Sequence, residues 1–253
     1  MLDWKKTEDY RFTESLGSEQ WAWEFLRRNP DYRREWREFR DTWQALEVDY
    51  GKAPHRDFQR WKLDPRAYVL EGDEGVCADS ESCKVDGDKI LIECHLGARW
   101  GFYKFPLDPA TDMPVIGQDL LWRDVEREVV QVEPGDETWL GSEQSKITLG
   151  FDLAQPLKEQ LEVAKRYLIA TQHWMRREKG ITMRTIVSLQ QRLTLCLRLL
   201  DAQEQGATQS EMAGTLFPAV GENVVEEELA ELEREARERV AGGYRQLLLV
   251  PER

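Results

Sequence analysis

The sequence predicts an α+β protein that is rich in helix and has a small antiparallel sheet in its middle part. Two observations carry this prediction. Apolar residues recur at helical spacing near the N-terminus and in the C-terminal part, whereas the middle holds short β-branched and aromatic runs bounded by Gly, Pro and Asp. We therefore divide the chain into a helical module at 1–60, a β-rich region at 61–150 and a helical domain at 151–253.

The N-terminal module is predicted to contain a short helix followed by a long one. The short helix, from Trp21, should end at Asn29-Pro30, because the residue before a proline is driven out of the α region. Large apolar side chains then follow spacings of four and three residues, which places them on one stripe of a helix. The stripe consists of Tyr32, Trp36, Phe39, Trp43, Leu46 and Tyr50. Such a stripe is more often a packing surface than a base-stacking platform, so we expect it in the core or between subunits.

The middle region is predicted to form strands at 67–70, 89–95, 99–105, 125–132 and 146–149. These runs are separated by turn signals such as Asp86-Gly87 and Pro134-Gly135. We expect them to pair as a small, mostly antiparallel sheet.

The C-terminal domain is predicted to be all helical. A helix should run from Pro156 to Gly180, and a second over 184–205, with Gly206 as its C-cap. Thr208 and Glu211 form a capping box that begins a short helix, and a long helix follows at 223–241. A short helix, a turn and a long helix with apolar inner faces are typical of a helix-turn-helix, although any three-helix bundle gives a similar pattern.

The charge of the chain is distributed unevenly. The formal net charge is −13, yet residues 165–198 carry eight basic side chains against one acid, Glu178. An exposed basic stretch in an acidic protein favours an anionic partner, and beside a helix-turn-helix pattern that partner is duplex DNA. The candidate DNA-binding residues are Arg176, Arg177, Lys179, Arg184, Arg192, Thr208, Gln209, Ser210, Arg234, Arg237, Arg239 and Arg245.

These candidates have different expected roles. The basic residues from 176 to 192 are expected to bind phosphates and to set the salt dependence of binding. The residues at 208–210 begin a helix, where amides and hydroxyls can also hold a phosphate. Arg234 and Arg237 are the long donors on the candidate recognition helix, so base reading is assigned to them.

The sequence gives little support to an enzyme or a metal site. It has three histidines and lacks the nucleophile-elbow, P-loop, dinucleotide-binding and zinc-protease motifs. Cys77, Cys83, Cys94 and His95 can in principle hold zinc, but they lack C-x-x-C pairs, so we predict no metal and no cofactor. No window reaches the ~18 apolar residues of a membrane span, and the uneven cysteine spacing suits a reducing compartment. We therefore expect a cytoplasmic protein.

Three stretches resemble a known family. WAWEFLRRNPDYRREW at 21–36 is similar to the N-terminal module of proteobacterial transcriptional regulator-like proteins, and RWGFYKFP at 99–106 resembles their middle segment. The region 153–248 is similar to the RovC-like DNA-binding domain. The resemblance implies a transcription activator of type VI secretion or mobile-element genes that binds promoter DNA as a homo-oligomer, a hexamer in the RovC type.

The last helix departs from the family pattern. Family members have an arginine-rich last helix, whereas this one carries seven glutamates between 226 and 238 against Arg234, Arg237 and Arg239. Carboxylates on a helix in a DNA groove oppose binding, because duplex DNA carries one negative charge per ~1.7 Å of its axis. An alternative prediction is therefore an acidic regulator that binds RNA polymerase or a regulatory protein without touching DNA.

Overall fold

A computed structural model describes residues 2–71, 84–85, 87–103, 105–123, 149–179, 189–218 and 222–249. Two units are separated by their internal contacts. The first consists of Met1–Glu126 together with Ser188–Arg253, and the second of Arg127–Val187. Both ends of the chain therefore belong to the first unit.

The N-terminal part of the first unit is helical. A 3-10 helix spans Thr7–Ser15, α1 spans Ser18–Leu26 and α2 spans Pro30–Tyr50. The predicted break is confirmed. The Asn29 side chain accepts hydrogen bonds from the amides of residues 31 and 32, and Pro30 occupies the first turn, where its missing N–H costs nothing.

The aromatic stripe of α2 packs within the chain. Tyr32 is fully buried in the main core, and Leu46 is fully buried with Trp61 of α3, which spans Phe58–Trp61. Trp43 meets Trp61 edge to face, with ring centroids 4.9 Å apart. Trp36 and Phe39, in the middle of the stripe, are partly exposed.

The middle part contains the expected small antiparallel sheet. Its strands are β1 (Tyr68–Leu70), β2 (Lys84–Val85) and β3 (Lys89–Leu91), in the order β1-β3-β2. Tyr68 pairs with Leu91, and Lys84 pairs with Ile90. The predicted strand at 125–132 and most of that at 146–149 lie outside the described residues.

Two predicted strands were wrong in whole or in part. Residues 92–95 and 99–100 belong to a helix, α4 (Ile92–Trp100), and beyond it Phe102 forms only an isolated bridge with Trp122. The β-branched and aromatic content of this stretch was overridden by tertiary packing, since α4 buries Cys94 and Leu96. Gly101 ends the helix at φ +92°, a left-handed conformation that glycine adopts without steric cost.

The C-terminal part of the first unit is formed by α6 (Leu189–Glu204), α7 (Gln209–Leu216), α8 (Glu222–Val240) and a 3-10 helix at Gly243–Leu249. Gly206 follows α6 at φ +73°, as expected for a C-cap glycine. Residues 184–188 of the predicted second helix and residues 219–221 between α7 and α8 lie outside the described part. The helix-turn-helix therefore stays a prediction.

The main core of this unit combines both ends of the chain. Trp23 and Phe25 of α1 are fully buried together with Leu197 of α6, Leu232 of α8 and Tyr244 of the last 3-10 helix. Burying a large side chain contributes about 1.5 to 3 kcal/mol. The N-terminal helices and the last three α-helices consequently share one hydrophobic core.

A buried network of charges crosses this core. Arg28, after α1, donates two hydrogen bonds to the carboxylate of Asp201 on α6, at 2.7 and 3.0 Å. Tyr10 donates to the same carboxylate at 2.6 Å, and Glu24 forms an ion pair with Arg28. The side chains of Arg28 and Asp201 are only 5% and 12% exposed. Buried charges of this kind require such partners, because an unpaired one is strongly destabilising.

The second unit contains the long helix α5, Leu157–Lys179. It begins one residue after Pro156, close to the predicted start. Gly180, predicted to end this helix, lies outside the described residues.

Candidate nucleic-acid interface

Helix α5 carries part of the predicted basic surface. At about 100° per residue, Lys165, Arg166 and Arg177 fall within one arc of about 120°, and their side chains are exposed. Glu159 and Glu162 share that arc nearer the N-terminus, so the basic face begins at residue 165. The side chains of Arg176 and Lys179 lie outside the described part, and so does Arg184.

Two cations on this face, Lys165 and Arg166, have no carboxylate within 4 Å among the described residues. Both residues are exposed. An exposed cation without an ion-pair partner breaks no existing ion pair when it contacts a phosphate. The contact also releases a counterion from the nucleic acid. This part of α5 can therefore interact with an anionic backbone.

Arg192 and Arg198, from the same basic stretch of sequence, lie inside the first unit. Arg192 on α6 donates to Glu235 of α8 at 2.9 Å and lies 3.6 Å from Glu228. Arg198 is buried and donates to the main-chain oxygens of Trp4 and Lys5. Both guanidinium groups are thus used to hold helices and the N-terminal segment together.

The start of α7 is occupied by a carboxylate. The Thr208 hydroxyl accepts from the amide of Glu211, while the Glu211 carboxylate accepts from the amide of Thr208 at 3.0 Å. That backbone hydrogen bond lowers the pKa of Glu211. The negative charge therefore stands where a phosphate was expected. Gln209 and Ser210 follow as exposed residues.

The outward face of α8 is acidic, with exposed Glu226, Glu227 and Glu238. Its arginines have carboxylate neighbours. Arg234 lies 3.7 Å from Glu238, and Arg237 lies 3.2 Å from Glu233. Arg239 is mostly buried and pairs with Glu235 at 3.3 Å. The helix predicted to read bases thus presents few unpaired donors.

The structure also brings together three arginines that no pattern in the sequence connects. Arg245 donates to the main-chain oxygen of Arg99 at 2.7 Å, and Arg99 and Arg34 both lie within 4 Å of Glu35. Of these, only Arg245 was among the predicted residues. Helical spacing and capping patterns link residues within a few turns, so no local signal connects positions 34, 99 and 245.

No group of metal-ligating side chains is found among the described residues. Cys94 is disulfide-bonded, which differs from the reduced state expected of the cysteines, and Cys77 and Cys83 lie outside the described part. Burial, followed by the charge of Arg99, lowers the pKa of His95. Cys196 is buried in the α6 core, and burial raises the pKa of its thiol to about 12, so it is a poor nucleophile.

Two regions of the chain match known domain families. Residues 3–64 match the proteobacterial transcriptional regulator-like domain, and residues 153–249 match the DNA-binding domain of RovC, described as a type VI secretion system transcription factor. The chain thus carries a proteobacterial transcriptional regulator-like domain and a RovC-type DNA-binding domain. It is therefore a transcription factor, and DNA is its partner.

The RovC-type match includes α5 of the second unit and α6, α7 and α8 of the first. No curated protein and no solved structure matched the chain significantly. Within the described residues, no helix is long and apolar enough to cross a membrane.

Proposed function

We propose that this RovC-type regulator is a cytoplasmic, non-enzymatic transcription activator that binds promoter DNA through the basic face of α5. Its target genes are those of a type VI secretion system, in line with the description of the matched domain. The observation that carries the proposal is that Lys165 and Arg166 of that domain are exposed and have no carboxylate neighbour in the part of the chain that the structure describes. They supply the sequence-independent phosphate contacts that position a protein on a duplex.

The contribution of α8 to this function is smaller. Its exposed glutamates repel phosphates, and Arg234 and Arg237 must leave Glu238 and Glu233 before they can meet a base. A bidentate arginine on guanine is worth about 1 to 3 kcal/mol of discrimination, part of which is lost in breaking those pairs. We propose that α8 mainly supports α6, with base reading confined to these two arginines.

The experiment is selection from a randomised duplex pool, followed by binding isotherms at several salt concentrations. The wild-type protein is compared with a Lys165→Glu/Arg166→Glu variant. The control, Arg11→Glu/Lys52→Glu, reverses the same number of charges at exposed positions outside the RovC-type domain. We expect an enriched motif with wild type and control, and loss of binding with the α5 variant. A folded wild-type protein that enriches no motif at low salt excludes the proposal.

A second candidate function is binding to a basic protein partner such as a subunit of RNA polymerase. The acidic outward face of α8 favours this function, because charge complementarity steers association. It predicts a polymerase interaction that is weakened by Glu226→Lys/Glu227→Lys but not by the α5 variant. The two functions are compatible in an activator, which binds DNA and polymerase with different surfaces.

We also propose that the regulator self-associates, as the homo-oligomer or hexamer expected from its family. Support comes from α5, where Val163, Tyr167 and Trp174 are 66%, 54% and 48% exposed on a strip that adjoins the basic face. Exposed apolar patches of this kind often mark protein interfaces. Light scattering should give an oligomer for wild type and a smaller species for Tyr167→Glu; equal masses would exclude α5 from the interface.

A further inference from the structure

A cluster of three arginines lies where three parts of the chain meet. Arg34 is on α2, Arg99 is in the last turn of α4, and Arg245 is in the C-terminal 3-10 helix. The first two approach one carboxylate, that of Glu35, at 3.8 and 3.1 Å. Arg245 is joined to them through the main-chain oxygen of Arg99. We call these three residues the arginine cluster.

The arginine cluster has more positive than negative charge. Glu35 serves both Arg34 and Arg99, and Asp31 pairs with Arg34 at 2.6 Å. Among the described residues, no carboxylate lies within 4 Å of Arg245. Among the described residues, the three guanidinium groups thus have two carboxylate partners, which contact Arg34 and Arg99. One of them, Glu35, has a side chain only 17% exposed and accepts a hydrogen bond from the Trp100 indole. Burial, followed by the charge of Arg99, lowers the pKa of the nearby His95.

The guanidinium groups are held in position yet remain accessible. Arg34 and Arg99 are 55% and 45% exposed, and Arg245 is exposed as well. Arg245 lies beside Gly101, where an added Cβ would stand 3.6 Å from its Nε. The neighbouring Tyr244 anchors the segment by donating to the main-chain oxygen of Trp100 at 2.9 Å. A side chain already fixed in this way loses less entropy when it binds a ligand.

A purely structural role accounts for only part of this arrangement. Arg245 caps a carbonyl near the end of α4, as basic side chains often do. That bond uses one of the five N–H donors of a guanidinium group, and other N–H groups on its exposed edge remain available. Paired N–H groups of this type match the oxygens of a phosphate. Unlike the arginines of α8, Arg245 has no ion pair with a described carboxylate that must break before it binds a phosphate.

We propose that the arginine cluster binds a backbone phosphate of duplex DNA. The inference rests on the proposed function and extends the DNA-binding surface beyond the RovC-type domain to α2 and α4. The contact is a phosphate contact, so it adds affinity and salt dependence to the same extent on every sequence. Through it, the N-terminal regulator-like domain shares directly in holding DNA.

The test compares salt dependence in full-length variants. Arg34→Gln/Arg245→Gln removes two charges of the cluster while keeping polar side chains, and Arg11→Gln/Lys52→Gln is the matched control. On a duplex that wild type binds, each lost phosphate contact lowers the slope of log affinity against log salt by about 0.9. We expect the cluster variant to lose about that much or twice as much, equally on cognate and unrelated duplexes, with the control unchanged. A slope equal to that of wild type overturns the inference.

A second measurement needs no variant. Phenylglyoxal modifies accessible arginines, and mass spectrometry locates the modified sites in wild-type protein with and without duplex. Protection of Arg34, Arg99 and Arg245 by DNA supports the inference, whereas unchanged modification of all three overturns it.

The proposed function and the arginine cluster are contradicted by different results. Absence of any DNA binding overturns the proposed function and the cluster together, while binding that depends on α5 alone overturns only the cluster.

Discussion

Replacing Asp201 by asparagine should destabilise the first unit strongly. The change keeps the shape of the side chain but removes the charge of the carboxylate. That carboxylate accepts three hydrogen bonds, two from Arg28 and one from Tyr10. Burial lowers the pKa of Arg28, but Asp201 and Glu24 together more than offset this effect in the native protein. Because arginine keeps its charge in proteins, the variant leaves a charged guanidinium group without its main partner. Leaving a buried charge uncompensated costs about 3 to 5 kcal/mol.

The lower end of that range applies to this site. Glu24 remains beside Arg28 in the variant and keeps part of the compensation. A loss of about 3 kcal/mol corresponds to a fall in Tm of roughly 6 to 12 °C for a unit of this size. Urea unfolding followed by tryptophan fluorescence measures the free energy of unfolding, and calorimetry measures the Tm.

Two further variants test whether the loss of stability comes from this buried network. Tyr10→Phe removes one hydrogen bond to a charged group and should cost about 1.5 to 3 kcal/mol. Glu24→Gln/Arg28→Met/Asp201→Leu removes all three charges of the network and should recover most of the loss, because uncharged residues of similar size often replace buried ion pairs without cost. If Asp201→Asn unfolds within about 0.5 kcal/mol of wild type, this account of the network is wrong.

Three further predictions concern residues assigned from the sequence or from the structure. Arg192→Gln should lower stability by roughly 1 to 2 kcal/mol and leave the salt dependence of DNA binding unchanged, because its partner is Glu235; a changed slope with unchanged stability would reverse the assignment. Thr208→Ala removes a capping hydrogen bond and should cost about 1 kcal/mol in urea unfolding, whereas Thr208→Ser should cost less. The Arg66 side chain holds the pKa of Asp64 below its ordinary value. Asp64 therefore stabilises the fold fully above its unfolded pKa of about 3.9, and this stabilisation is lost as the pH falls through the lower pKa of the folded state. Asp64→Asn should therefore be less stable at pH 7 and lose less stability between pH 4 and pH 2; parallel profiles would contradict this.

Local patterns in the sequence predicted the helices well. The Asn29-Pro30 break, the capping box at Thr208 and the C-cap at Gly206 are all present. Each depends on groups within one turn of the same helix, so neighbouring residues suffice to specify it. The same local reasoning failed at 92–100, where burial of Cys94 and Leu96 in α4 outweighed strand propensity.

The candidate site was less predictable, because the charge of a segment does not reveal where each side chain points. Of the basic stretch, Lys165 and Arg166 are exposed and without a described carboxylate neighbour, whereas Arg192 is paired and Arg198 is buried. Their partners come from α8 and from the N-terminal segment. Which cations remain available to DNA is therefore decided by contacts between distant parts of the chain.

Sequence patterns alone were enough to predict the class of the protein, the ends of several helices and the resemblance to RovC-type regulators. Helical periodicity, capping and turns arise from interactions over a few residues, so these features can be predicted from neighbouring residues in the sequence. The shared core of the two chain ends, by contrast, is visible only in the folded protein, as are the contacts of Arg34 and Arg99 with Glu35 and the bond of Arg245 to the main chain of Arg99. Such arrangements depend on burial and on charge pairing between residues far apart in sequence, whose distances exist only once the chain is folded.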